Sequence, residues 1–162
     1  MVGDYTPSVV LKTPFRESFG AFSPDGRWVA YLSTESGRPE IYVRPFVPPG
    51  ARGTAAGAAG GQWQVSTAGG IMPVWRPDGK ELYYLNPAGA MMAAPIAVTG
   101  ATLAPGAPVV LFPTRIVGGG VDGLQGRQYD VAPDGRFLIN TELDSAAAPI
   151  TLLMNWNPDA KK

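Results

Sequence analysis

Three features of the sequence predict an all-β chain. One turn is written three times: FSPDGRWVAY at 22–31, WRPDGKELYY at 75–84 and VAPDGRFLIN at 131–140. The 21 glycines and 17 prolines among 162 residues would break helices repeatedly. The segments between these breakers are short and rich in aromatic and β-branched residues, which suit a pleated sheet. In each repeated turn, proline pre-sets φ at the first central position and aspartate suits the second. Glycine then takes the left-handed conformation that closes a hairpin. Pro24, Asp25, Gly26, Pro77, Asp78, Gly79, Pro133, Asp134 and Gly135 are therefore assigned to structural turns.

In the first unit, residues 18–22 approach the turn and 27–34 leave it. The Glu35-Ser36-Gly37-Arg38-Pro39 turn leads to a strand at 40–46, and 62–66 supplies a fourth. Between them, VPPGARGTAAGAAGG at 47–61 is low in complexity and reads as an exposed loop. The second unit has strands at 72–75, 80–85, 91–98 and 109–112, with 100–108 as a connection. The third has 128–131, 136–142 and 150–156, one strand short, while 8–12 is a strand without a unit of its own.

The turn glycines recur 53 and 56 residues apart. A period of that size with strands inside each unit is the signature of propeller blades. The expected architecture is therefore a β-propeller segment of three four-stranded antiparallel blades, at about 18–67, 71–113 and 127–157. This is half of a ring of about six blades. Such an arc leaves apolar faces and an edge strand uncovered. The chain is accordingly expected either to be a fragment of a longer chain or to form a homodimer, with 8–12 completing the partner's third blade.

Bulk properties exclude several functions. Thirteen basic residues balance thirteen acidic ones, so no net field draws the chain to nucleic acid. No run of about 18 apolar residues predicts membrane insertion. The opening MVGDYTPSVVLKTPF has no basic stretch followed by an apolar one, so no signal peptide is expected. Histidine and cysteine are absent, so neither a Ser-His-Asp nor a Cys-His nucleophilic system can form. A His/Cys zinc site is excluded as well. The expectation is a non-enzyme with no cofactor and no metal. GGGVDG at 118–123 matches G-x-G-x-x-G literally, but LQGRQY at 124–129 reads as loop then strand. The helix that dinucleotide binding requires at that point is missing from the pattern. Trp28, Tyr31, Tyr42, Trp63, Trp75, Tyr83, Tyr84, Phe137 and Trp156 could stack on ligands. Their place in period-2 strands makes packing between sheets the simpler reading.

Candidate binding residues lie in the loops before each first strand, where a propeller gathers its channel mouth. They are Arg16 and Glu17 in the first unit, with Gln125 and Arg127 in the third. Solvated surface charge is the competing account of all four. An anionic small molecule or a peptide terminus would suit the arginines.

Taken together, FSPDGRWVAYLSTESGRPEIYVRPF, GGQWQVSTAGGIMPVWRPDGKELYYL, YDVAPDGRFLIN and PITLLMNW resemble the TolB-like, WD-repeat-like β-propellers of bacteria. The chain is especially similar to the propeller that follows the kinase domain in some bacterial serine/threonine protein kinases. The resemblance implies a binding module for protein or peptide partners, in a periplasmic or other extracytoplasmic setting. It also implies about twice as many blades, and no kinase signature is present to transfer kinase activity. Two alternatives come with it: the gating propeller of a prolyl-oligopeptidase-like hydrolase, and a small-molecule enzyme site at the channel mouth.

Overall fold

A computed structural model describes residues 9–48, 61–116 and 126–142. Among them there is no helix, and eleven strands form three antiparallel sheets. The first sheet is a meander of β1 (Glu17–Phe22), β2 (Trp28–Ser33), β3 (Glu40–Pro45) and β4 (Trp63–Gln64). The second comprises β5 (Ile71–Trp75), β6 (Glu81–Leu85), β7 (Ala90–Thr99), β8 (Thr102–Pro105) and β9 (Val109–Pro113). The third pairs β10 (Tyr129–Val131) with β11 (Phe137–Ile139).

The repeated turns behave as their chemistry dictates. Gly26, Gly79 and Gly135 have φ of 69°, 72° and 86°. Each donates its N–H to the carbonyl three residues back, at 2.8–2.9 Å. The Oδ1 atoms of Asp25, Asp78 and Asp134 accept the backbone N–H two residues on, at 3.0–3.1 Å. Each aspartate thus holds its own turn closed.

The hairpins are not identical. In the first two, the amides of Ser23 and Arg76 reach the carbonyls of Trp28 and Glu81. In the third, the Ala132 amide reaches Arg136, one residue earlier. Phe22 pairs with Val29 and Trp75 with Leu82, but Val131 pairs with Phe137. A slip of one residue exchanges the faces of a strand. Phe137 and Ile139 therefore pack inward, and Leu138, the counterpart of fully buried Leu82, is 75% exposed. Asn140 explains the choice. In the other register it would turn inward; here its amide donates to Gln128 Oε1 at 2.8 Å on the outer side.

A second repeated device lies upstream of the turns. β1 and β5 each carry a register shift, between Ser18 and Ala21 and between Ile71 and Val74. Within them, Phe19 and Met72 sit at φ of 55° and 54°. A left-handed non-glycine residue costs roughly 1–2 kcal/mol. The strain is offset by burial, since Met72 is 1% exposed and Phe19 packs against both core layers.

Two apolar layers bind the sheets together. One sets Trp28, Leu32, Ile41 and Val43 against Trp75, Leu82, Tyr84 and Ile96. The other sets Met72, Tyr83, Leu85 and Met91 against Tyr129 and Phe137. β6 serves both, Leu82 and Tyr84 facing one layer while Tyr83 and Leu85 face the other. β5 touches both β1 and β10, so the first strands of the three sheets lie side by side.

Some expectations need correction. Residues 9–12 form no strand, and Ser8 lies outside the described residues. Leu11 instead packs down on the face of the first sheet, against the cluster of Val29, Tyr31 and Tyr42. The connection expected at 100–108 contains β8, folded back on the far half of β7 from Ile96 to Thr99. The second sheet therefore has five strands rather than four. The G-x-G-x-x-G match at 118–123, most of the loop at 47–61 and the strand expected at 150–156 lie outside the described residues.

Candidate functional site

The residues proposed from sequence stand at the start of the first strands. Arg16 is exposed, and its backbone is tied to Thr34: the Arg16 N–H donates to Thr34 Oγ1, and the Thr34 N–H donates to the Arg16 carbonyl, both at 3.2 Å. Glu17 opens β1 opposite Ser33, and its carboxylate accepts a hydrogen bond from the Thr13 hydroxyl. Arg127 is exposed just ahead of β10, and Gln125 lies outside the described residues. No hydrogen bond or ion pair among the described residues joins Arg16 or Glu17 to Arg127.

The opposite ends of β1 and β5, where the repeated turns sit, form a cleft of about 570 Å³. Its walls are the first turn from Ser23 to Arg27, the second from Asp78 to Lys80, and Ile96 to Val98 of β7, with Trp28 and Trp75 at its back. Several polar groups here are occupied by the fold, whereas Trp28 Nε1 is buried with no hydrogen-bond partner among the described residues. Ser23 Oγ donates to Asp25 Oδ1 at 2.6 Å and accepts the Trp28 N–H at 2.9 Å. The hydroxyl, followed by the Arg27 N–H, holds the Asp25 carboxyl below its usual value of 3.8. Trp75 Nε1 donates to the Ala21 carbonyl at 3.1 Å. The Arg27 guanidinium lies 5.8 Å from the Trp28 ring centroid and donates to the Gly100 carbonyl. In this cleft the serine hydroxyl is paired with a carboxylate that also closes the turn by accepting the Arg27 N–H. Among the described residues, no cluster of carboxylates could hold a metal ion.

A buried charge that sequence reasoning missed lies at the end where β1 begins, level with Glu17 through their shared partner Ser33. Glu40 is fully buried at the start of β3. It accepts from Arg38 Nε at 2.7 Å, from the Ser66 hydroxyl, and from the Gly69 N–H, which lies 3.0 Å from both carboxylate oxygens. Ser66 Oγ in turn accepts the Ile41 N–H at 2.8 Å. The carboxylate ties the segment entering the second sheet to the edge of the first. All its partners are structural, which marks a latch rather than a reacting group. A glutamate directly before Ile41-Tyr42-Val43 was the available signal, but Ser66 and Gly69 lie more than twenty residues away.

The outward face of the first sheet carries Val29, Tyr31 and Tyr42, packed under Leu11 and Phe46. The two tyrosine rings stack at 6.1 Å, and Phe22 meets Phe46 edge to face at 4.7 Å. Burial pushes the Tyr31 hydroxyl up to about 12, and no acceptor among the described residues meets it. The corresponding face of the third sheet is polar, with exposed Asp130 and the Gln128–Asn140 pair around Leu138. No protein-family model and no curated protein matches the sequence.

Proposed function

We propose that the chain is a propeller-type binding module of the TolB-like kind, which recognises protein or peptide partners and performs no chemistry of its own. What carries this reading is the use made of the polar groups at the strand ends. The three turn aspartates accept backbone amides, and Glu40 fixes a connection. These groups stabilise a scaffold, and the serines that meet Asp25 and Glu40 also accept backbone amides, Ser23 from Trp28 and Ser66 from Ile41, as parts of the turn and the latch. The stacked antiparallel sheets with adjoining first strands suit blades arranged around an axis. In that setting the loops and outer faces are left for recognition. Attachment to a kinase domain and an extracytoplasmic location belong to this proposal through the sequence resemblance alone.

The direct test is an unbiased displayed-peptide selection against the purified chain, with the footprint of any binder read by amide hydrogen exchange. Enrichment of a sequence family that protects strand ends or an outer sheet face is expected. Failure to enrich any sequence over an unrelated β-protein would remove the reading. Light scattering tests the ring arrangement separately: a two-fold assembly has twice the 17.0 kDa mass of one chain.

A further inference from the structure

We propose that Asp134-Gly135 is a site of spontaneous covalent modification, the one of the three repeated turns at which the folded chain first converts aspartate to isoaspartate. The reaction does not depend on the binding reading above. Its chemistry is internal to the pair. The Gly135 nitrogen attacks Cγ of Asp134, the carboxyl hydroxyl leaves as water with the amide proton, and a five-membered imide forms. Water then adds at the former backbone carbonyl of Asp134 and breaks its bond to nitrogen. The chain now runs through Cγ, one water has left and one has entered, and no other reactant is needed. Glycine favours the attack because no Cβ shields its nitrogen.

Asp25-Gly26, Asp78-Gly79 and Asp134-Gly135 offer the same atoms, and the fold sets their order; Asp122-Gly123 lies outside the described residues. In each closed turn the glycine N–H is engaged by a carbonyl and the aspartate Oδ1 by a backbone amide. Reaction therefore proceeds through opened turns, and its rate follows their population. The first two turns are stitched down by a third strand. The Phe46 N–H donates to the Arg27 carbonyl and the Ile96 N–H to the Lys80 carbonyl, each at 2.8 Å. Asp25 is also held by the Ser23 hydroxyl, and the Arg27 guanidinium reaches across to Gly100. The matching residue of the third turn is Arg136, whose carbonyl faces Ala132 of its own hairpin, and no third strand pairs with β11 among the described residues. Both donors to the Asp134 carboxylate, the backbone N–H and Nε at 3.1 and 2.8 Å, come from Arg136 itself. The side chains of that ion pair are 82% and 54% exposed. One opening of the hairpin releases both.

The test is incubation of the purified chain at mildly acidic pH, warm but below its melting transition, with samples taken over weeks. Digested peptides are read by electron-transfer fragmentation, which distinguishes isoaspartate from aspartate. A parallel sample in urea reports the same chemistry without the fold. In the folded chain, isoaspartate should form at Asp134 about tenfold faster than at Asp25, the ratio for an opening free energy lower by about 1.4 kcal/mol. In urea the three rates should agree within about twofold, because the local sequences are alike. Arg136→Ala removes one donor of an exposed pair and should speed Asp134 about threefold while leaving Asp25 unchanged. Equal rates at Asp25 and Asp134 in the folded chain, or the folded ranking reproduced in urea, overturns the assignment. So does earlier conversion at Asp25 or Asp78, or no conversion at Asp134 in a folded chain whose urea sample converts. An Arg136→Ala rate equal to that of the wild type overturns it as well.

Discussion

Replacing Glu40 with alanine should be among the most damaging single changes to this fold. The side chain is fully buried, and four donor contacts from Arg38, Ser66 and Gly69 end on its two oxygens. Its removal leaves the Gly69 amide and the Ser66 hydroxyl without their acceptor in an enclosed site. Breaking a buried, hydrogen-bonded charge in this way costs about 3–5 kcal/mol. At roughly 2–4 °C per kcal/mol for a chain of this size, the melting point should fall by roughly 6–20 °C. Arg38 offers the contrast. Its side chain is 57% exposed, so water can replace it, and Arg38→Ala should cost no more than about 1 kcal/mol. Glu40→Gln keeps the shape but turns an amide NH₂ toward donors, so its cost should fall between the two. The assay is urea unfolding followed by tryptophan fluorescence, with an unchanged denaturant slope confirming that the native state is comparable. A Glu40→Ala loss within about 0.5 kcal/mol of zero, the scatter of ordinary surface changes, would refute the latch. So would an Arg38→Ala loss as large as that of Glu40→Ala.

The turns and the third hairpin supply further tests. A Cβ on Gly26 or Gly135 meets no atom within 4 Å, so alanine there reports backbone strain alone, roughly 1–2 kcal/mol by chemical denaturation. Gly20, equally open but without positive φ, should tolerate alanine, and equal losses at all three would contradict the turn assignment. Leu138→Ala should change stability by less than about 0.5 kcal/mol, whereas Leu82→Ala costs about 2–5 kcal/mol; comparable losses would place β11 in the other register. The depressed carboxyl of Asp25 stabilises the folded state above its unfolded value of 3.8 and loses that contribution as pH falls through its lower folded value. The stability gap between wild type and Asp25→Asn should therefore be full near neutrality and close below about pH 4. A gap independent of pH would mean that the charge plays no part in the turn.

What could be read in the sequence was local. Pro-Asp-Gly sets its own backbone through φ restriction and an aspartate that bonds two residues ahead, so all three turns lie where the residues place them. The bulges at Phe19 and Met72 carry no such signature, because neither residue favours positive φ and only the packing around them sustains it. The slip in the third hairpin was hidden for a related reason. Arg136 comes after its glycine much as Arg27 and Lys80 come after theirs, and the register depends on which face must exclude Asn140. β8 was obscured by Gly100 and Gly106 at its flanks, although Leu103 is 1% exposed. Of the residues proposed for binding, Arg16 and Arg127 are exposed. How the loops ahead of different strands lie relative to one another is not encoded by strand periodicity.

The double allegiance of β6 has a consequence for how the molecule comes apart. Apart from Phe19 of β1, which reaches both layers, each layer couples neighbouring sheets, so the described stack resembles a one-dimensional chain of cooperative units joined by two interfaces. The middle unit shares both, and among the described residues the β10–β11 pair holds by one. Thermal opening should therefore begin as fraying at β10 and β11 and reach the amides of β6 last. A lesion in β6 would propagate in both directions at once, and one in β11 would stop at the layer it shares with β6.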